Sequence, residues 1–593
     1  MPSRPSWFSN RHLAIGVLSA AALAAGLHPA AGRIGSDFAN YYVPARAAWN
    51  GTGVARIYER AVFDEASRRE GLHGLGSFVP HPPANALLLR PMAHAGAAGA
   101  KRVWTWVLAF SYAGSLLVLG RWLSIRTRTL LVLALLPAFA LGNALAYGQP
   151  YPLLLLLISA SLAAAIGGRW MLSGALIAPV VVLKLYGLPF LALFVWQRRW
   201  RAAAGLAGGV FLLTALSWLA LGGEVHRVYA REVLPASLDG RIQDPYSTQW
   251  QSASSLSRRL FEAEPDLNPH PAADWPRLAR SLARGLPTAL TVMAVAAAAA
   301  AGSTPAAQWS ILVCGALAAS PLAASYHFVL LVLPAAVTVS DSTRSRRTRW
   351  TVLALAAFCA SPLPHHFAGW AHGAANVVAC PRLGAALALL ALVARPWTTW
   401  RHAAIAAALG LAVGLATPGP GPVPAWRRVA PGGYLQATPI ACGGGVAWLG
   451  IEGGVYIIRA TDGTRLPVGE PLQGPACSDG RVGAARVVPE GVSDAMFEGA
   501  PARHARLSPD GGWTVAQVWR GGSWDIEVLS TVDGRIVTVT DDAADEVEPS
   551  WSADGATILF ASDRGRGLGS TAAYGVAFGG RESPARSATA SSR

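Results

Sequence analysis

Long apolar runs separated by short polar connections make up most of the chain before residue 417. Each run is close to the roughly 20 residues that an α-helix needs to cross a bilayer. We therefore predict a polytopic α-helical membrane region over residues 1–416, with about thirteen crossings. The predicted crossings are residues 13–31, 103–120, 129–147, 152–166, 170–196 as two half-length helices, 202–222, 285–302, 308–324, 327–340, 350–363, 376–394 and 402–417.

Arginines predict the orientation of these crossings. They occur in alternate connections, for example at Arg126 and Arg346, and positive charge favours the cytoplasmic side. The pattern predicts a multi-pass plasma-membrane protein with a cytoplasmic N-terminus and an extracytoplasmic C-terminus. Residues 32–102 and 223–284 are too polar to span and should form two long outer loops. Small residues at 28–32 also make the first run resemble a secretory signal, so cleavage there is an alternative.

The apolar run at 170–196 starts after Arg169 and ends before a basic cluster that begins at Arg198. A single crossing would leave that cluster outside, against the positive-inside tendency. We therefore predict a hairpin of two short helices with its tip near Lys184. This arrangement places Lys184 at the outer side, where its charge costs less than in the hydrocarbon core.

The pattern changes after a Pro/Gly-rich linker, predicted at 417–426. Short alternating runs and Asp-Gly turns predict a β-rich domain over 427–593, on the outer side of the membrane. The segment LSPDGG at 507–512 recurs as WSADGA at 551–556, a 44-residue spacing (554 minus 510) in the range of one propeller blade. With EPSWSADG at 548–555, these repeats resemble TolB-type β-propellers. The domain has room for three or four blades, so we predict a partial propeller.

Cysteine content and charge add two constraints. Cys442 and Cys477 lie in the β-rich domain, where an oxidising compartment would permit a disulfide, and the sequence leaves their pairing open. The net charge of +16 would suggest nucleic-acid binding in a soluble protein. Here many arginines occupy loops between apolar runs, so we predict membrane lipid as a partner and no nucleic acid.

Common catalytic motifs are missing from the sequence. It contains no G-x-x-x-x-G-K-[ST], G-x-G-x-x-G after a strand, or H-E-x-x-H, and no cysteine pair with metal-ligand spacing. We therefore predict no cofactor and no metal, so the energy for any reaction must come with the substrate. The residue that draws attention is Asp37, beside aromatic residues at the predicted outer membrane surface. It is either a cap for a helix over 38–49 or a working base.

Several short motifs occur in a characteristic order over residues 35–335. They are Asp37-Phe38, Tyr41-Tyr42, Ala45, Ile57-Tyr58, Phe78, Pro82-Pro83, Pro91, Asn143 and Gly148-Gln149. Together they resemble the opening half of glycosyltransferase family 87, although the family usually has Tyr-Pro-Pro where this chain has His81-Pro82-Pro83. The resemblance implies a GT-C fold and transfer of a sugar, mannose or a related hexose, from a polyprenyl-phosphate donor to a glycan or glycolipid acceptor, with inversion.

The resemblance also implies roles for individual residues. Asp37 matches the catalytic base, and His327 would bind phosphate or assist proton transfer. No second acid follows Asp37 before Glu59, which favours a metal-independent mechanism. Candidates for binding substrate are Lys184, for the leaving phosphate, with Asn143, Gln149, Tyr41, Tyr42, Gln249, Gln251 and Arg258.

Each of these assignments has a structural alternative. A lysine at a helix end can simply anchor it, and histidine, asparagine or glutamine there can be a polar cap. At the level of function, the alternative is a membrane transporter, or a sensor or scaffold whose β-rich outer domain binds a cell-envelope ligand. A transporter predicts facing ionisable residues in mid-bilayer and an inverted helix repeat. A scaffold predicts that Asp37 can be replaced without loss.

Overall fold

The computed structural model describes residues 29–579 except 36, 52–53, 55, 73–75, 239, 303, 418–425, 453–454, 469–472, 487–496, 521, 543 and 568–569. Almost all of the predicted first crossing, the possible signal sequence and most of the predicted linker lie outside the described residues. Helices account for the described structure up to Leu415, and strands begin at Arg427.

The helical region consists of elements of very different length. The α-helices are Ala39–Asn50, Arg60–Arg69, Asn85–Leu88, Gly96–Trp122, Thr127–Leu135, Ala138–Tyr147, Tyr151–Ile166, Trp170–Lys184, Leu188–Trp196, Trp200–Leu221, Gly223–Val228, Leu234–Leu238, Ala253–Phe261, Pro276–Ala300, Pro305–Ala319, Val332–Ser340, Arg346–Ala360, Pro381–Ala394 and Trp400–Leu415. Short 3₁₀ segments join several of them, including Ser325–Leu331 and Leu363–Trp370.

Three described helices are long and apolar enough to cross a membrane: Arg90–Trp122, which includes a 3₁₀ turn, Trp200–Leu221 and Pro276–Ala300. Two further pairs, bent by 58° and 65°, raise the number to five if each pair is one span. Five shorter apolar helices of 10 to 17 residues accompany them. These helices indicate a multi-pass membrane protein, while the number of about thirteen crossings stays a prediction.

The outer surfaces of the long helices are strongly apolar. Phe110, Phe211 and Leu219 are 68%, 76% and 82% exposed, whereas Trp104 and Trp309 are buried between helices. Large apolar side chains facing outward would be unfavourable in water but suit a surface covered by lipid. The side-chain distribution therefore agrees with the membrane assignment.

The predicted hairpin at 170–196 is present. The helix Trp170–Lys184 ends at Leu185, which has a left-handed backbone (φ 58°), and a second helix begins at Leu188. After this second helix the guanidinium of Arg199 lies 3.8 Å from the ring centre of Trp170. The chain has thus returned to the level where it began, and Lys184 lies at the turn.

The β-rich domain is built from antiparallel sheets. Three sheets have four strands, in the orders β2-β3-β4-β5, β8-β9-β10-β11 and β1-β14-β13-β12, and β6-β7 form a pair. No propeller is detected in the described part of the domain. The strands are β1 Arg427–Arg428, β2 Ala437–Cys442, β3 Gly445–Glu452, β4 Val455–Ala460, β5 Arg465–Pro467, β6 Gln473–Ser478, β7 Arg481–Arg486, β8 Ala502–Leu507, β9 Trp513–Arg520, β10 Ser523–Ser530, β11 Ile536–Thr538, β12 Glu546–Trp551, β13 Thr557–Ser562 and β14 Ala572–Ala577.

The repeated motif forms the same turn twice. Between β8 and β9, the Ser508 hydroxyl donates to the Asp510 carboxylate and accepts from the Trp513 amide. Ser552 makes the corresponding bonds to Asp554 and Thr557 between β12 and β13. A disulfide joins Cys442 to Cys477, so the pairing that the sequence left open is formed.

Contacts fix the β-rich domain against both predicted outer loops. Arg60 of the first loop pairs with Glu548 at 2.8 Å, and the Tyr456 hydroxyl donates to Asp64 at 3.2 Å. In the second loop, Arg241 pairs with Asp563 at 3.3 Å. The two loops and the β-rich domain therefore lie at the same end of the helical region.

Candidate functional site

Asp37 lies where the first loop meets the helical region. The helix Ala39–Asn50 begins after Phe38 without a side-chain cap, so Asp37 does not act as its N-cap. Instead the Asp37 carboxylate accepts a hydrogen bond from Gln149 Nε2 at 2.8 Å and one from the Tyr326 hydroxyl at 3.5 Å. Gln149 in turn accepts from the Tyr41 hydroxyl at 2.7 Å, which fixes the orientation of its amide.

The surroundings of Asp37 favour a proton acceptor. Burial raises the pKa of its carboxyl above the ordinary value, against the hydrogen bonds from Gln149 and Tyr326 and the positive charges of Lys184 and Arg33. A carboxylate with a raised pKa takes up a proton more readily than a free one. This property suits a general base that works near neutral pH.

The only two lysines of the chain are both near Asp37, and its remaining cationic side chains are arginines. Lys184 Nζ lies 5.4 Å from the ring centre of Tyr41 and 5.9 Å from that of Tyr151, and its charge interacts with that of Asp37. Lys101 is fully buried. Its ammonium lies 5.4 Å from the ring centre of Phe38 and donates to the carbonyls of Leu145 and Ala146. Only Lys184 is placed to meet a ligand.

His327 is held by tyrosines at the start of a 3₁₀ segment. Its Nδ1 is 2.8 Å from the Tyr186 hydroxyl, and its ring stacks on Tyr151 with 4.4 Å between centres. The Tyr186 hydroxyl also lies 3.1 Å from the Ser320 hydroxyl, so it bridges His327 and Ser320. Among the described residues, Nε2 of His327 has no hydrogen-bond partner.

A cavity of about 870 Å³, here called the larger cavity, extends from Asp37 into the helical region. Its walls include apolar side chains such as Leu188 and Phe139. Among the predicted site residues, Asp37, Asn143, Gln149, Lys184, Gln249 and His327 line it. Six side chains from separate parts of the sequence thus meet at one site.

A second cavity, here called the interdomain cavity, also borders Asp37 and has a volume of about 360 Å³. The first loop, the second loop and the β-rich domain all contribute to it, for example through Tyr58, Glu232 and Trp524. Asp37 and Asn40 line both cavities. Both cavities therefore border Asp37.

Several predicted site residues, among them Asn143 of the larger cavity, have protein partners. Tyr41 supports Gln149 from behind, as described above, and Asn143 donates to the Ser325 hydroxyl at 2.8 Å. Tyr42 packs inside the first loop, with its hydroxyl directed at Glu70. Gln251 donates to the Pro364 carbonyl, and Arg258 forms a buried ion pair with Glu262 at 2.8 Å. These last three side chains do not line either cavity.

The sequence interpretation missed several residues of the site. Tyr326 and Tyr186, close to predicted segment ends, give no signal beyond that of interfacial aromatics. His81 stacks on Tyr41 at 4.5 Å and lines the larger cavity, and neither of its buried ring nitrogens has a hydrogen-bond partner among the described residues. Lys101 could have been found from the sequence, because it is one of only two lysines in the chain.

Comparison with known families matches residues 78–334 to glycosyltransferase family 87. The chain carries a glycosyltransferase family 87 domain. This domain indicates a membrane glycosyltransferase, with a sugar donor and an acceptor as substrates. A comparison with curated proteins gives no match.

The matched segment contains the residues of the larger cavity that the sequence predicted, except for Asp37. Lys184, His327, Asn143, Gln149 and Gln249 all fall inside it. Asp37 precedes it in sequence and is joined to the family 87 domain through the hydrogen bond from Gln149. Geometry thus adds to the site a residue that the family match does not cover.

Proposed function

We propose that this protein transfers a hexose, specifically mannose, from a polyprenyl-phosphate donor to a glycan or glycolipid acceptor, with inversion. The observation that carries the proposal is that Asp37 lines both cavities and accepts a hydrogen bond from Gln149 of the family 87 domain. In this proposal Asp37 is the catalytic base. Lys184 and His327 act on the phosphate of the donor.

The larger cavity suits a lipid-phosphate donor. Its apolar walls favour the hydrocarbon chain, and Lys184 offers a positive charge to the phosphate. Nε2 of His327 can accept a proton or, when protonated, donate to phosphate. Asn143, Gln149 and Gln249 supply amide groups for sugar hydroxyls.

The reaction is a displacement at the anomeric carbon. The acceptor hydroxyl oxygen forms a bond to that carbon while its proton passes to the Asp37 carboxylate. The bond from the anomeric carbon to the phosphate oxygen breaks, and its electron pair leaves with the polyprenyl phosphate. Attack on the face opposite the leaving group gives inversion.

We also propose the arrangement of the chain that this chemistry requires. The GT-C region covers residues 1–416 with about thirteen crossings and a cytoplasmic N-terminus. A linker at 417–426 leads to the β-rich domain, 427–593, outside the plasma membrane, with its three four-stranded sheets as blades of a partial propeller. The gathering of both predicted outer loops and this domain at one end supports the orientation.

The test is sugar transfer by the purified full chain in lipid, with a panel of polyprenyl-phosphate sugars as donors. Asp37→Asn keeps the shape of the side chain and removes the base. We expect transfer by the unchanged protein and a loss of at least about a hundredfold in the variant, as is typical of a general base.

Asp274→Asn is the matched control. Asp274 is an exposed acid of the second loop whose carboxylate accepts from the Ala263 amide. An asparagine oxygen can accept the same bond, so this variant should keep full activity. No transfer with any donor, from protein shown to be folded, would overturn the proposal in favour of the transporter, sensor or scaffold alternatives.

A further inference from the structure

The interdomain cavity has the size and setting of a ligand site. Its volume of about 360 Å³ falls within the roughly 300–1,000 Å³ of typical small-ligand pockets. It shares Asp37 with the larger cavity, so its occupant and the donor would meet at the same residue. Its aromatic walls include Tyr58, Tyr456 and Trp524.

Two polar side chains in this cavity have unused hydrogen-bonding capacity. Among the described residues, the imidazole of His504 and the amide of Gln243 make no hydrogen bond to protein. Burial lowers the pKa of His504 below its ordinary value, so near neutral pH its ring offers one donor and one acceptor. Gln243 also lines the larger cavity and so stands beside the reaction centre.

The backbone of the β-rich domain aims residues at this region. Thr438, His504 and Glu548 have left-handed backbones, with φ of 46°, 53° and 55°. Each lies at an irregularity in β2, β8 or β12, which is the edge strand of its four-stranded sheet. A non-glycine residue in this conformation is strained and often marks a functional site. Irregularities of this kind re-aim side chains.

The charges in the cavity favour a ligand without net charge. The three arginines that line it are already paired, Arg60 with Glu548, and both Arg56 and Arg503 with Glu59. Asp545 and Glu232 add further acidic groups to the walls. An anionic ligand would meet acids and occupied arginines, whereas hydroxyl groups can bond to His504 and Gln243 without disturbing the ion pairs.

We propose that the interdomain cavity binds the acceptor, a neutral hydroxyl-rich glycan, and presents its nucleophilic hydroxyl to Asp37. The inference rests on the proposed glycosyltransferase function, and it assigns to the β-rich domain a share in the acceptor site. The proton and the bonds move as in the displacement described above. His504 and Gln243 bind the acceptor from the two sides of the domain boundary.

The first experiment measures binding without turnover. The full chain in lipid nanodiscs is titrated with α-mannotriose and maltotriose as neutral probes and with trigalacturonate as an acidic one. We expect a neutral probe to bind, Asp37→Asn to retain that binding, and the double variant His504→Ala with Gln243→Ala to weaken it at least tenfold. Absence of binding by both neutral probes, or equal binding of trigalacturonate, would overturn the proposal.

Two further variants guard against a folding defect. Leu507→Ala changes an exposed residue on the same strand as His504 and should leave binding unchanged. Gln243→Ala alone leaves the β-rich domain intact and should still weaken binding severalfold. Equal binding by this variant and the unchanged protein, with matching thermal stability, would exclude the interdomain cavity as the binding site of the glycan.

Transfer assays separate this inference from the function on which it rests. The double variant His504→Ala with Gln243→Ala should raise the acceptor KM at least tenfold, with less than a twofold change in the donor KM. Transfer with an unchanged acceptor KM would overturn the inference and keep the glycosyltransferase. Glycan binding that depends on His504 and Gln243, in a protein that uses no donor, would overturn the glycosyltransferase and keep the binding site.

Discussion

The two cavities that meet at Asp37 are built in different ways. The larger cavity is formed chiefly by helix ends of the family 87 domain, with Lys184 and His327 held by neighbouring tyrosines. The interdomain cavity is formed by side chains hundreds of residues apart, and ion pairs such as Arg60 with Glu548 hold its walls together. Substitution of a single side chain should therefore be enough to impair the larger cavity. The interdomain cavity should be impaired by substitutions that change how the β-rich domain docks.

The strongest test of the larger cavity is Lys184→Met, which keeps an unbranched side chain and removes the charge. If Lys184 faces the leaving phosphate as proposed, loss of its charge should lower kcat/KM for the donor about a hundredfold. Arg169→Met, which removes an exposed cation at the other end of the same helix, should have little effect. Steady-state transfer kinetics with both variants provide the measurement, and equal activity of the two would argue against a role for Lys184.

The corresponding test of the interdomain cavity is Gly567→Val. A Cβ at Gly567 would collide with the carbonyl of Gln243 and lie 2.9 Å from that of Arg241, so the β-rich domain has to lift from the second loop. We expect about a tenfold rise in acceptor KM, because walls of the site move apart.

Gly483→Val serves as the control, since a Cβ at Gly483 meets open space. It should leave the acceptor KM unchanged. Limited proteolysis of the linker would report the lifting directly, and faster cleavage should accompany Gly567→Val alone. Unchanged cleavage and KM in both variants would show that this close contact is dispensable for docking.

Tyr186→Phe probes the support of His327 and should have a smaller effect. It removes a hydroxyl that bonds to His327 Nδ1 and to Ser320. Loss of one such bond is worth about 1 kcal/mol, or roughly a fivefold fall in kcat/KM. Tyr112→Phe removes a hydroxyl bonded to the Ala134 carbonyl and should not change kcat/KM. A fall of the same size in both variants would indicate a general loss of packing.

The smallest effect expected concerns the pH dependence of docking. Burial raises the pKa of Asp64 from 3.8 to about 7, against the opposing influence of Arg60 and Tyr456. The docked state therefore holds a proton that the free carboxylate releases, so Asp64 should weaken docking as pH rises from about 4 to about 7.

Asp64→Asn removes this titration and can still accept from Tyr456. The variant should melt at a higher temperature than the unchanged protein at pH 8, with a difference that shrinks towards pH 5. Thermal melting at both pH values gives the measurement, with Asp274→Asn as the control. A difference that stays constant between pH 5 and pH 8 would contradict the assignment.

The sequence predicted the larger cavity better than its surroundings. Asp37, Gln149, Lys184 and His327 all fall at ends of apolar runs that the arginine pattern places on one side. Residues at the same end of a helical bundle are candidates for contact, so the topology was enough to group them. The hairpin that turns beside Lys184 followed from the same charges.

The remaining features depend on packing that no local pattern records. Tyr42 and Arg258 look like ligand-binding residues in a loop, yet the fold of each loop uses them internally. The pairing of Arg60 with Glu548 joins positions 488 residues apart. The interdomain cavity, which depends on that docking, was consequently outside what the sequence interpretation could reach.

Because lysine is scarce in this protein, its lysine side chains can be labelled selectively by chemical modification. Apart from the N-terminal amine, reductive methylation has two possible targets in 593 residues. Lys101 is fully buried, whereas Lys184 is partly exposed and lines the larger cavity. Isotope-labelled methyl groups on Lys184 would thus give an NMR signal from the larger cavity, in which the proposed binding of a phosphate could be observed directly.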